Sequence, residues 1–229
     1  MSAVATGGDP IILRLMNRLT GTAVLLAGLL AAGVVAGARE QEPIIGGPTE
    51  DGEAVFVGLP EKPASRSRIA PADEPGEPMR IEGVVRDQQG RSVAGVIIYA
   101  YHTNKGGRYP RHSNTRDTSA ARHGRLRGWA ASDAEGRYAF ETIRPGGYPF
   151  SRDPEHVHMH VIEPGRCTYY IDDILFDDDP RLTPEKRQRL LRGRGGNGLA
   201  APAKDAAGRW LVRRDIVLGT NVPGYPTRD

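Results

Sequence analysis

Tyr138–His160 reads Y-A-F-E-T-I-R-P-G-G-Y-P-F-S-R-D-P-E-H-V-H-M-H. Tyr138 to Ile143 alternates as a half-buried strand does. Pro145-Gly146-Gly147 turns the chain into Tyr148-Pro149. Three histidines then follow at every second position. Alternate residues of an extended strand project from one face. His156, His158 and His160 therefore point one way, with Val157 and Met159 pointing the other.

The same period-2 pattern extends outward from this stretch. Arg80 to Arg86 alternates, and Asp87-Gln88-Gln89-Gly90-Arg91 follows as a hairpin-type turn with Gly where positive φ is wanted. Val93 to Tyr101 is rich in β-branched and aromatic residues, with Tyr99 and Tyr101 on one face and Ile98 and Ala100 on the other. Asp133-Ala134-Glu135-Gly136-Arg137 is another turn. Downstream, Cys167 to Phe176 and Trp210 to Leu218 read as strands. Thr183-Pro184-Glu185-Lys186 is a helix start, Thr as N-cap and Pro at the first helical position, for a helix to about Arg192. Six or seven short strands, frequent turns and no strand–helix–strand rhythm predict an all-β fold. The expectation is an antiparallel β-sandwich with one short helix near the C-terminus.

Composition agrees. Gly 29 and Pro 18 make up about a fifth of the 229 residues, which favours turns and short strands. The net charge of +3 comes from interspersed basic and acidic residues, so nucleic acid is not an expected partner. The single cysteine, Cys167, excludes an intramolecular disulfide framework and a Cys-rich zinc site.

Residues 1–38 read as a signal peptide or an N-terminal membrane anchor. Arg14 and Arg18 precede the uncharged run Leu19 to Val35, and Ala36-Gly37-Ala38 is a small-residue cleavage site. Either reading puts the remainder outside the cytoplasm, periplasmic or secreted. A membrane tether through the N-terminus and a homo-oligomer both stay open. Residues 39–78, rich in Pro, Gly and charge, read as an extended arm or linker. Within them, Ala54 to Val57 reads as an edge strand or a partner contact. The compact domain is expected at 79–229. Its long polar connection, His102 to Arg127, has no periodicity and reads as a functional loop, with His112 and His123 as exposed loop histidines. Asp172, Asp173 and Asp177 to Asp179 read as a solvated turn, with a second cation site as the alternative.

The chemistry lies in the side chains that the turns and the strand present. Imidazole is the commonest protein metal ligand. Tyr109 and Tyr148 sit in matching Gly-Gly-Arg-Tyr-Pro and Gly-Gly-Tyr-Pro turns. A phenol titrates near ~10 and ligates at neutral pH only beside a strongly charged cation. Two turn tyrosines and an H-x-H strand together suggest ferric iron, Fe(3+), held by two Tyr and two His.

In the order of these pieces the chain resembles the intradiol ring-cleaving dioxygenases, the family of protocatechuate 3,4-dioxygenase and catechol 1,2-dioxygenase. The matching segments are Gly83 to Asp87, Gly107 to Tyr109, Gly136 to Pro149, His156 to His158 and Phe176 to Pro180. The resemblance implies a β-sandwich oxidoreductase with one non-haem ferric iron. Its substrates would be a catechol-type aromatic and O2, the ring opening between the two hydroxyl-bearing carbons. It implies metal ligands Tyr109, Tyr148, His156 and His158, with Tyr148 as the one that leaves during catalysis. The pair His158/His160 is the alternative register; otherwise His160 and Asp173 stand behind the ligands. The family's arginine just before H-x-H is replaced by Asp153; either Arg152 reaches in from a shifted turn one position earlier, or the role is lost. Two other readings stay open: a non-catalytic β-sandwich binding module, and a metal-binding protein on that scaffold.

Overall fold

A computed structural model of the chain describes residues 43–46, 52–111 and 115–226. The targeting segment expected at 1–38 and His112 lie outside the described residues. The strands are β1 (Ile44–Ile45), β2 (Arg66–Arg68), β3 (Pro78–Arg86), β4 (Ile97–Tyr101), β5 (Arg127–Ala131), β6 (Arg137–Ile143), β7 (His156–Glu163), β8 (Cys167–Phe176), β9 (Leu199–Ala200), β10 (Ala203–Lys204), β11 (Trp210–Arg213) and β12 (Ile216–Val217). The helix α1 (Pro184–Leu190) starts where expected, with the Thr183 hydroxyl accepting from Lys186 N at 3.3 Å.

Two sheets form. One runs β1-β8-β7-β4-β5, with β9 on β8; the other runs β10-β11-β3-β6-β2, with β12 on β3. The long neighbours β3–β6, β4–β5, β4–β7 and β7–β8 are antiparallel, as expected. The short strands β1, β2, β9, β11 and β12 add to them in parallel, so both sheets are mixed. Between the sheets lies the main core, with Ile81, Val85, Phe140, Val157, Met159, Val161, Tyr169, Ile171 and Ile174 buried. The outer face of the first sheet carries Tyr99, Tyr101, Ile97 and Ile162, packed with Val55. The period-2 split of β4 and β7 therefore holds: one face enters the sandwich, and the other faces the loops that build the site.

The segment at 52–78 departs from a linker. Gly52–Phe56 is a 3-10 turn, not a strand, with Ala54 and Val55 fully buried. Trp129 Nε1 donates to Val55 O at 2.7 Å. β2 pairs with β6, and Ile69 and Ala70 are buried in the main core. The apolar pieces here are only two to four residues long, too short to show a period. The run Trp210–Leu218 is likewise two strands, interrupted at Arg214-Asp215, where the Arg214 side chain turns inward and Asp215 Oδ1 accepts from Val84 N at 3.0 Å.

Three turns share one signature, D-x-x-G-R: Asp87–Arg91, Asp133–Arg137 and Asp205–Arg209. In each, the Asp Oδ1 accepts from the backbone N–H two and four residues on, at 2.8 to 3.1 Å. Its Oδ2 accepts from the Arg Nε. Gly90, Gly136 and Gly208 supply φ of 81°, 77° and 75°. Asp thus offers the turn its own backbone partners, and Gly takes the left-handed position without a Cβ penalty. Sequence reading singled out the first two of these turns and passed over the third.

Candidate metal centre

Two glycine pairs bring Tyr109 and Tyr148 together. A Cβ on Gly107 would stand 2.0 Å from Gly147 O, and one on Gly146 would stand 2.3 Å from Lys105 O. The two turns therefore touch backbone to backbone, which any side chain there would prevent. Gly107 and Gly146 both donate to Asn104 O, at 2.9 and 3.0 Å. Thr103 Oγ1 donates to Gly146 O at 2.7 Å. The repeated Gly-Gly of the sequence is one interlocked contact.

Tyr148 and His156 are joined by a short connector that doubles back. Phe150 makes the reversal, exposed and at φ 66°. The connector's far end is tied down: Glu155 N donates to Asp179 Oδ2 at 2.5 Å and Glu155 Oε2 pairs with Arg144 Nε at 2.9 Å. Arg144 also forks onto Asp178, at 2.7 and 2.8 Å. Asp177 pairs with Arg187, and Asp179 also accepts from Arg181 N at 2.8 Å. The acidic run Asp177 to Asp179 is thus engaged by the protein's own donors.

Four donor atoms converge. Tyr109 Oη lies 2.5 Å from Tyr148 Oη and 2.8 Å from His158 Nε2. His156 Nε2 lies 3.1 Å from both Tyr148 Oη and His158 Nε2, and Tyr148 Oη lies 3.4 Å from His158 Nε2. Ligands about 2 Å from one ion stand about 3 Å from each other, so this spacing suits a single metal. The tautomers suit it as well. His156 Nδ1 is 2.7 Å from Pro154 O, and His158 Nδ1 is 2.9 Å from Asp173 Oδ1. Each Nδ1 is therefore the protonated donor, and each Nε2 turns a lone pair to the common point.

Asp173 also accepts from Tyr170 Oη at 2.7 Å. His156, His158 and Asp173 form a cluster of the two-histidine, one-carboxylate kind. Asp173 nevertheless sits on the Nδ1 side of His158, away from the four converging atoms. One imidazole cannot turn both nitrogens to the same ion, so Asp173 orients His158 rather than completing a triad. Burial acts to raise its carboxyl pKa, but His158, His156 and Tyr170 outweigh it and hold the group below its usual value.

Burial disfavours the charged forms of His156 and Tyr109. It lowers the His156 pKa, with His158 adding to the effect. It raises the Tyr109 phenol well above its usual value, helped by the hydrogen bond to Tyr148. A trivalent cation supplies what this pocket lacks to ionise a phenol. The donor set fits the ion that the spacing suggests.

His160 is buried outside the four, its ring 5.3 Å from that of Tyr170 and 5.9 Å from that of Tyr99. Arg152 is exposed, and among the described residues no hydrogen bond or ion pair joins it to the four atoms. The arginine next to the Tyr148 turn is instead Arg181, whose Nη1 lies 2.0 Å from where a Gly147 Cβ would stand. His123, expected in an exposed loop, is 2% exposed. Sequence reading also missed Tyr101, whose ring stacks on His158 at 4.5 Å and 22°. Its place on the same face of β4 as Tyr99, opposite the histidine face of β7, was the available signal.

A family model described as Dioxygenase matches residues 55–191. The chain is 30% identical over 130 residues to the protocatechuate 3,4-dioxygenase beta chain of Burkholderia cepacia, covering 51% of this chain and 55% of that one. It is 28% identical over 150 residues to chlorocatechol 1,2-dioxygenase of Rhodococcus opacus, covering 58% and 54%. The chain thus spans about half the length of these curated relatives. Among solved structures, the dioxygenase domain of a dioxygenase carbohydrate-binding protein fusion from Streptomyces sp. SirexAA-E aligns with a TM-score of 0.54 at 22% identity, over 70% of this chain and 91% of that one. 3-Chlorocatechol 1,2-dioxygenase from Rhodococcus opacus 1CP aligns with a TM-score of 0.54 at 19% identity, over 79% and 73%. At these identities the structural likeness shows a shared fold.

Proposed function

We propose, for a chain that belongs to the intradiol ring-cleaving dioxygenase family, that it opens a catechol-type aromatic with O2 at a ferric iron held by Tyr109, Tyr148, His156 and His158. The observation that carries this reading is the convergence of two phenol oxygens and two Nε2 atoms, five of whose six pairs stand 2.5 to 3.4 Å apart. Ferric iron, when bound, supplies a Lewis acid and a template that draws charge from a chelated catecholate and readies its ring for O2.

The chain's own groups do the rest. Tyr109 and Tyr148 as phenolates offset two of the three positive charges, while His156 and His158 bind as neutral imidazoles. Tyr148 would be the ligand that gives way to the substrate, its Oη accepting one of the two catechol protons. It lies between the connector's reversal at Phe150 and the Gly146-Gly147 turn. Tyr109 stays, held on the long connection whose far end returns against its backbone. Asp173 and Pro154 O keep both Nδ1 protonated, so neither histidine can turn away. The bond between the two hydroxyl-bearing carbons breaks, and both atoms of O2 enter the resulting diacid. Export belongs to the same proposal and rests on the sequence of residues 1–38.

The test is a visible spectrum with elemental analysis of the purified protein, followed by oxygen uptake on a panel of catechols. One iron per chain, a tyrosinate-to-iron charge-transfer band and a cis,cis-muconate-type product are expected. Tyr109→Phe or Tyr148→Phe should remove or shift the band and abolish uptake. A colourless protein that binds no iron would overturn the reading.

A further inference from the structure

Behind the four converging atoms is a second set of rings that the proposed reaction leaves without a task. Tyr101 stacks on His158 at 4.5 Å and on His123 at 3.7 Å, the latter with only 8° between planes. Two imidazoles this close and this parallel to one phenol, and not in ring contact with each other, take its opposite faces. The His123 edge is fixed as well: its Nδ1 lies 2.8 Å from Tyr99 Oη. His123 closes the 3-10 turn Ser119–His123, on the connection that also carries Tyr109.

Directly after His123, the chain runs along the backbone of Tyr109. A Cβ on Gly124 would stand 2.7 Å from Pro110 O and 3.1 Å from Tyr109 C, and Arg125 N donates to Pro110 O at 2.8 Å. Gly124 has φ 66°, the left-handed form that glycine accepts. Fixing His123 therefore fixes the strip of backbone against which Tyr109 rests. Through Tyr101, the same residue bears on the face of His158.

We infer that His123 is a positioning residue for the metal centre: it clamps Tyr101 against His158 and holds the Tyr109 loop, setting the orientation of two ligands from two different elements. This rests on the reading of the four residues as an iron site. Simple core packing would make His123 matter for stability alone. A positioning role makes it matter for ligand geometry beyond its effect on stability.

The experiment compares wild type, His123→Ala, His123→Phe and Leu126→Ala in the full chain. Leu126 is fully buried nearby and serves as a control for destabilisation alone. In iron-loaded protein, His123→Ala should shift the charge-transfer band and release iron to a chelator about tenfold faster than Leu126→Ala, the scale on which groups behind metal ligands act. His123→Phe keeps a flat ring against Tyr101 and should restore most of the band position. In metal-free protein, His123→Ala should speed hydrogen exchange at Arg108–Arg111 more than Leu126→Ala does. A coloured wild type, with His123→Ala matching Leu126→Ala in band, iron release and exchange, overturns the inference and leaves the reaction standing. A wild type that binds no iron overturns the reaction, and the metal-free exchange then decides whether His123 holds the Tyr109 loop; equal exchange in the two variants rejects it.

Discussion

At the buried end of β4, His102 is held as one neutral tautomer. Its Nδ1 donates to Thr103 O at 2.7 Å, and its Nε2 accepts from Thr142 Oγ1 at 2.6 Å. Burial, with smaller contributions from His158 and His156, pushes its pKa down to about 4 from the ordinary 6.5. The folded value lies below the unfolded one, so the unfolded chain takes up the proton first as pH falls. The stabilisation is complete above about pH 6.5, shrinks between about 6.5 and 4, and is gone below that window. It amounts to about 3 kcal/mol at 1.4 kcal/mol per pKa unit. Urea unfolding at pH 7, 5.5 and 4 should show this slope in wild type and a flatter one in His102→Gln; parallel curves would remove His102 as the cause. The residues of the candidate metal centre stood out in the sequence for a related reason. Tyr109, Tyr148, His156 and His158 are chemically unusual in such turns and at such spacing, so residue type alone pointed to them. His102, Tyr101 and His123 carry no such mark. Their work depends on what they touch across the sheet, and spacing along the chain does not reveal that.

Among the elements, the D-x-x-G-R turns allow a controlled comparison, because one local structure recurs in three surroundings. All three glycines have nearly the same positive φ, so alanine should impose a similar backbone cost of about 1 kcal/mol at each. Gly90 and Gly208 have nothing within 4 Å of a Cβ. A Cβ on Gly136 would stand 2.6 Å from Val85 O and 3.2 Å from Ser92 Cβ. Gly136→Ala should therefore cost about 2 kcal/mol more than Gly90→Ala or Gly208→Ala, since backbone must move to admit the methyl group. Chemical unfolding of the three variants tests the order, and equal losses would mean that neighbours do not matter at these turns. Legibility of the fold follows the same division between local and distant causes. β3, β6, β7 and β8 are seven to ten residues long and show their period. β1, β2, β9 and β12 are two or three residues, held by parallel pairing to a distant strand, which leaves no pattern in their own sequence.

Across the whole molecule, the two sheets share a polar fastening as well as an apolar core. Arg214 is 1% exposed and has no carboxylate partner among its hydrogen bonds. Its Nη1 donates to Gly195 O, Asn197 O and Asp215 O at 2.9 to 3.1 Å, and its Nη2 to Arg194 O and Asp172 O at 3.2 and 3.4 Å. Its own backbone carbonyl accepts from Tyr138 Oη at 2.6 Å, and its N donates to Glu82 O at 2.9 Å. One residue thus joins β8 of the first sheet, the loop after α1, and β3 and β6 of the second. A Cβ on Gly83 would stand 1.9 Å from Arg214 O, so glycine is what lets β3 pass here. Two opposing effects decide what its loss does. Removing a buried charge relieves its desolvation cost, and a methionine of similar length could on that ground be neutral or stabilising. Against this, five carbonyls lose a donor; Gly195 O keeps Val217 N and Arg194 O keeps Asp172 N, while each of the others costs about 1 to 3 kcal/mol where water cannot reach it. Because those carbonyls belong to three separate segments, they cannot all turn to solvent together. Arg214→Met should therefore lower stability by about 4 kcal/mol, with hydrogen exchange rising first in 193–198. Arg214→Lys keeps the charge but brings three donors on one atom instead of a planar fork, and should fall between the two. A methionine variant as stable as wild type would show that the apolar core alone holds the sheets, and that the guanidinium is merely tolerated between them.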